Sequence, residues 1–89
     1  MKHAGPAALD ALEETLAKLR GHGPLKERTR GSFYCRGSAF LHFHEDPAGL
    51  FADLKVGVEF ERFRVSTSRE RAALLRAVAK LLAPGVVMP

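Results

Sequence analysis

His42-x-His44 puts two imidazoles on one side of an extended strand, with their Cα atoms roughly 6.5–7 Å apart. That separation lets both rings reach one divalent transition metal, and Glu45, Asp46 or Asp53 can supply a carboxylate. The metal set would be His42, His44 and Asp53, and the same residues could serve an acid–base enzyme. The plainer reading has His42 as a partly buried sheet residue and His44 as a turn cap, with no cofactor. Asp53 tells more. A carboxylate beside Phe40 and Phe51 loses hydration, which raises its pKa unless a cross-strand partner such as Arg64 lowers it. A structural Asp53–Arg64 pair is the favoured expectation. Cys35 reads as a small buried hydrophobe, since nothing around it activates a thiolate.

Helix and strand signals say what must position these groups. Leu9, Leu12, Leu16 and Leu19 form one apolar stripe, predicting a helix over 6–20 with Pro6 in its first turn and Gly21 after its end. The alternating charges of Leu25–Arg30 predict an extended connector. Strands are expected over 32–36, 39–44, 50–56 and 61–65, with a Gly37-Ser38 hairpin turn and four-residue turns at 45–48 and 57–60. Thr67-x-x-Glu70 matches a capping box opening a helix over 68–83, with Ala72, Leu75, Val78, Ala79 and Leu82 as its buried stripe. An apolar tail follows over 84–89. The fold class is α+β: a four-stranded antiparallel meander in one domain, flanked by N- and C-terminal helices in the order α-β-β-β-β-α.

Alternation assigns two faces. Ala39, Leu41, Phe43, Leu50, Ala52, Leu54, Phe63 and Val65, with Tyr34, should meet the helices. Phe33, Cys35, Phe40, His42, His44, Phe51, Asp53, Lys55, Arg62 and Arg64 fall on the other face. Three phenylalanines among those charges predict an interface. An 89-residue chain buries only about 60–65% of its unfolded surface, so self-association would add stability. Hence the expectation is a homodimer, or a small-ligand-binding module, using Phe40, His42, Phe51, Asp53 and Arg64.

The net charge of +4 is concentrated: residues 18–36 hold six Lys and Arg side chains against Glu27 alone. A solvated loop is the plainer reading. The alternative is a nucleic-acid-binding accessory protein using the segment from Lys26 to Arg36, or Arg28, Arg30, Arg36, Arg62 and Arg64 with Tyr34 and Phe33. No phosphate loop, dinucleotide fingerprint or nucleophile elbow is present. Glu45-Asp46-Pro47-Ala48-Gly49 lacks calcium-loop spacing and is good turn chemistry. The lone cysteine excludes an internal disulfide, no apolar run approaches the roughly 18 residues of a membrane span, and the first residues lack a signal peptide's apolar region. A cytoplasmic protein with no membrane partner is expected, and the Ala, Leu, Arg, Gly and Pro content suggests a GC-rich, thermophilic bacterial genome.

Phe40-Leu41-His42-Phe43-His44-Glu45-Asp46, then Ala52-Asp53, then Phe60-x-Arg62-Phe63-x-Val65, resembles a block shared by small uncharacterised bacterial proteins, covering about residues 30–80. More distantly, the pattern is similar to small bacterial α+β domains that pair through their sheets. The resemblance implies a fold and brings no activity with it.

Overall fold

A computed structural model describes residues 1–83; the expected tail over 84–89 lies outside them. The architecture is α+β, with one antiparallel sheet and helices at both ends of the chain. In chain order the elements are β1 (Lys2–His3), α1 (Pro6–Ala11), α2 (Glu13–Arg20), β2 (Leu25–Thr29), β3 (Ser32–Cys35), β4 (Ser38–Asp46), β5 (Gly49–Val56), β6 (Glu59–Arg64) and α3 (Ser68–Leu82). The sheet order is β2-β3-β4-β5-β6, and β1 pairs with the far end of β4. The described residues therefore contain six strands, not four.

Both extra strands escape the hydrophobic pattern for identifiable reasons. β1 is two residues long, too short to show a period. In β2 the inward positions are Leu25 and Glu27, and the second is filled by a carboxylate instead of an apolar group. Glu27 accepts from Arg20 of α2, its second oxygen lying 3.2 Å from Nη2, and also accepts from the Gly31 N–H at 2.9 Å. Burial pushes the Glu27 carboxyl up, but these hydrogen bonds outweigh it and hold the group below its ordinary value.

The N-terminal helix is divided at Leu12, whose φ of −97° and ψ of 2° leave the helical region. No proline or glycine marks the break, so the periodicity reads straight through it. Its stripe is confirmed, because Leu9, Leu12, Leu16 and Leu19 are all buried. At α3 the capping box forms as the sequence requires: Thr67 Oγ1 accepts from the Glu70 N–H at 3.1 Å, and Glu70 Oε1 accepts from the Thr67 N–H at 2.9 Å. The buried line of α3 is centred on Leu74 and Val78, while Ala79 is exposed. The adjacent pair Leu74-Leu75 makes the apolar arc wide, and sequence alone cannot choose its centre.

All four hairpins among the described residues turn on two residues, the first on Arg30-Gly31. Arg36-Gly37 joins β3 to β4 with φ of 54° and 81°, the double positive φ of a type I′ turn. Pro47-Ala48 and Gly57-Val58 make the other two, so the four-residue turns of the sequence reading are too long by two. Phe43 therefore faces Ala52, Leu41 faces Leu54, and Ala52 faces Phe63. A slip of two residues moves partners along the strand but keeps every side chain on its face. Gly49, at φ 140°, is required after the Pro47-Ala48 turn: a Cβ there would sit 2.5 Å from Ser66 Oγ.

One irregularity does change faces. Phe33 pairs with Leu41 and Tyr34 with Ala39, which leaves Phe40 as the extra residue of a β-bulge. Phe40 and Leu41 then both point toward the helices, with Phe40 only 8% exposed. Along β3 the outcome is reversed from expectation. Phe33 is fully buried, Cys35 packs against the core, and Tyr34 points out. The core thus joins Phe33, Phe40, Leu41, Phe43, Ala52, Leu54 and Val65 of the sheet side to the leucines of α1 and α2 and to Leu74 and Val78. Phe40→Ala should lower stability by about 3–5 kcal/mol in urea unfolding. A loss below about 0.5 kcal/mol, the range of ordinary surface positions, would return the ring to the solvent face.

Candidate functional site

Helices cover one face of the sheet and leave the other open. The ladder register places His3 of β1, Tyr34 of β3, His42 and His44 of β4, Phe51, Asp53 and Lys55 of β5, and Phe60, Arg62 and Arg64 of β6 on that open face. Lys26 pairs with Tyr34, and Arg28, the extra residue of a second bulge in β2, lays its guanidinium 4.3 Å from the Tyr34 ring centroid.

Of the five residues expected at the site, four share this face. His42, Phe51, Asp53 and Arg64 are there; Phe40 is in the core because of the bulge. Asp53 pairs with Arg62, not Arg64, because the two-residue turn sets Asp53 opposite Arg62. The pair is bidentate, with Arg62 Nε donating to Oδ1 at 2.8 Å and Nη2 to Oδ2 at 2.9 Å. These hydrogen bonds hold the Asp53 carboxyl below its ordinary value against burial, which pushes it up. Asp53 is therefore a fixed anion near neutral pH. Arg64 instead turns to the sheet edge, where it donates to the Ala48 carbonyl at 2.6 Å and lies 3.7 Å from Glu70.

His44 Nε2 lies 3.2 Å from Asp53 Oδ2. That contact occupies a ring nitrogen that a metal would need. Among the described residues no three His, Cys, Asp or Glu side chains are arranged to hold a metal ion. His3, which the sequence gave no reason to notice, is the closest ring to His44, at 5.0 Å between centroids. Burial is the main cause that lowers the His44 pKa, with His3 and Arg62 adding to it and Asp53 opposing. Burial likewise lowers His42, assisted by the charges of His44 and His3.

A row of rings crosses the face. Tyr34 and His42 are 6.4 Å apart between centroids, and His42 and Phe60 are 5.7 Å apart. Phe60 is 47% exposed. Sequence reading put Phe60 in a turn; the signal that locates it is Gly57-Val58, a Gly-X pair able to close the hairpin in two residues. Around the row stand Lys26, Arg28, Lys55, Arg62 and Arg64 against the carboxylates of Asp46 and Asp53.

The basic segment divides in two. Arg20 and Arg30 are taken up by the helices: Arg20 donates to Glu13 at 2.6 Å, and Arg30 donates to Asp10 and Glu13, each at 2.8 Å. Hydrogen bonds from Arg20 and then Arg30 bring the Glu13 carboxyl down to about 2. Among the described residues no carboxylate pairs with Lys26 or Arg28, so their charge stays available on the open face.

The depressed histidine values set a pH dependence. As pH falls below about 6.5, the unfolded chain takes up protons before folded His42 and His44 do. Their contribution to stability is thus complete above about pH 6.5 and lost as pH falls through the lower folded values. The urea midpoint should therefore drop from about pH 7 to about pH 5, and His42→Gln should flatten part of the drop. A midpoint that is level over this range would refute the assignment.

Among the described residues no helix is long and apolar enough to cross a membrane. The chain matches no family model, no curated protein and no solved structure.

Proposed function

We propose that this chain is a binding module that takes single-stranded nucleic acid across the open face of its sheet. The observation that carries the reading is the ring row Tyr34–His42–Phe60, spaced at 6.4 and 5.7 Å and flanked by Lys26 and by Arg28, which lies over Tyr34, neither paired with a carboxylate among the described residues. Unstacked bases bind by laying their faces on exposed rings, and the backbone phosphates follow the surrounding cations. No catalytic step is needed, and Asp53, neutralised by Arg62, makes a poor proton carrier near neutral pH.

A homodimer through the same face is the second reading, favoured by exposed Phe60 with Val56 and Val58 at the adjoining hairpin. Charge weighs against it. In a two-fold dimer the same patch meets itself, and Lys26, Arg28 and Lys55, which have no carboxylate partner among the described residues, would face their own copies. Two of the phenylalanines that suggested the dimer, Phe33 and Phe40, lie in the core.

Fluorescence anisotropy with a labelled single-stranded oligonucleotide tests the proposal. Affinity should fall steeply with salt, with a log–log slope of about −0.7 per phosphate contacted. Tyr34→Ala and Phe60→Ala should each weaken binding about tenfold, the worth of one stacked base. No binding at low salt would overturn the proposal. Sedimentation of the same sample reports the dimer: a dimer that Phe60→Glu dissociates would establish the second reading.

A further inference from the structure

We infer that the cleft between β1 and the β2–β3 hairpin seats a single nucleotide, an inference that rests on the strand-binding reading of the adjoining face. The cleft follows from topology. β1 and β3 pair with the same edge of β4, β1 at His44 and Glu45 and β3 from Ser38 to His42, and their ends meet at Phe43, whose carbonyl accepts the Ala4 N–H at 3.0 Å. The opening measures about 560 Å³, within the range of small-ligand sites.

Its lining suits this class of ligand. Leu9 and Phe43, both buried core residues, supply an apolar floor for the flat face of a base. Ser32 and His3 offer hydrogen-bonding groups for a base edge, and Tyr34 leads from the cleft onto the ring row. Arg28 is the cation for phosphate: it has no carboxylate partner among the described residues, whereas its neighbour Arg30 is held by Asp10 and Glu13. Among the described residues no carboxylate lines the cleft. In a second opening of comparable size, about 540 Å³, Glu45 and Asp46 offset Lys2 and the Met1 amino group, leaving no surplus cation for a phosphate. A third, about 470 Å³, lies by the end of α3, and none of the three rings of the row lines it. Sequence specificity toward single strands commonly comes from such a pocket, into which one splayed base is placed.

A free nucleotide and one nucleotide of a strand share this chemistry, and two ligands separate them. The full chain is titrated by NMR with the nucleoside 5′-monophosphates at millimolar concentration, and by anisotropy with single-stranded homopolymeric hexanucleotides. Ser32→Tyr fills the cleft and Arg28→Ala removes its cation; the second lies on the surface and serves if the first perturbs folding. The expected result is monophosphate binding that shifts His3, Ser32 and Tyr34 and weakens about tenfold in either folded variant, with homopolymers of different bases bound unequally. Monophosphates that leave those resonances unmoved, or bind the variants as well as the parent, overturn the inference, and hexanucleotide binding that persists then leaves the strand reading standing. Hexanucleotides that do not bind overturn the strand reading, and monophosphate binding that persists in that case assigns the cleft to a free nucleotide.

Discussion

The β-bulge at Phe40 is the constraint on which the open face depends. Two consecutive apolar residues, Phe40 and Leu41, cannot both be buried by a regular strand, whose side chains alternate. The extra residue lets both rest on the helices, with Phe40 at 8% exposure and Leu41 fully buried. Every pairing of β3 then follows. Phe33 and Cys35 turn inward, Tyr34 turns outward, and the surface that would have been an apolar patch becomes a set of rings among cations. One inserted residue thus changes the chemical class of partner the face can take, because it exchanges buried and exposed aromatics without altering composition.

Charge is divided by the same architecture. The acidic first helices and the basic segment after them look like separate features along the chain, but folding brings Asp10, Glu13 and Glu27 against Arg20 and Arg30. Exposed pairs of this kind contribute little stability individually. Their consequence here is one of place: two of the six basic side chains are neutralised on the helix side, and Lys26 and Arg28 alternate to the open side. The position of Glu27 also explains why β2 is hidden. An inward carboxylate is tolerated because its partner, Arg20, is supplied by a helix remote in sequence.

On the open face, Asp53 anchors more than it reacts. It holds Arg62 in a bidentate pair and lies beside His44, whose ring lies 5.0 Å from that of His3 in β1 between centroids. β4, β5, β6 and β1 are thereby tied together by side chains on the surface as well as by the ladder beneath. His42 and His44 remain neutral near pH 7 because burial and the repulsion of neighbouring imidazoles disfavour their charged forms. A neutral imidazole between Tyr34 and Phe60 serves as one more flat ring.

Sequence by itself determined the features that depend on neighbours along the chain. The leucine stripe of α1 and α2, the capping box of α3 and the alternation of β5 and of β4 beyond Phe40 are short-range patterns, and each is present where the residues require it. The side of the sheet on which His42, His44, Phe51, Asp53, Arg62 and Arg64 lie was also legible, since shortening a turn by two residues preserves face. Partners were not: Asp53 meets Arg62 because of turn length, and turn length depends on which residues adopt positive φ. The tertiary structure alone decided the rest. β1 is a strand only because β4 extends past β3, Glu27 points inward only because Arg20 is there to meet it, and Phe40 leaves the surface only because the helices offer it a place in the core. Each of these is a choice between alternatives of similar local energy, and it is settled by contacts with elements far away in sequence.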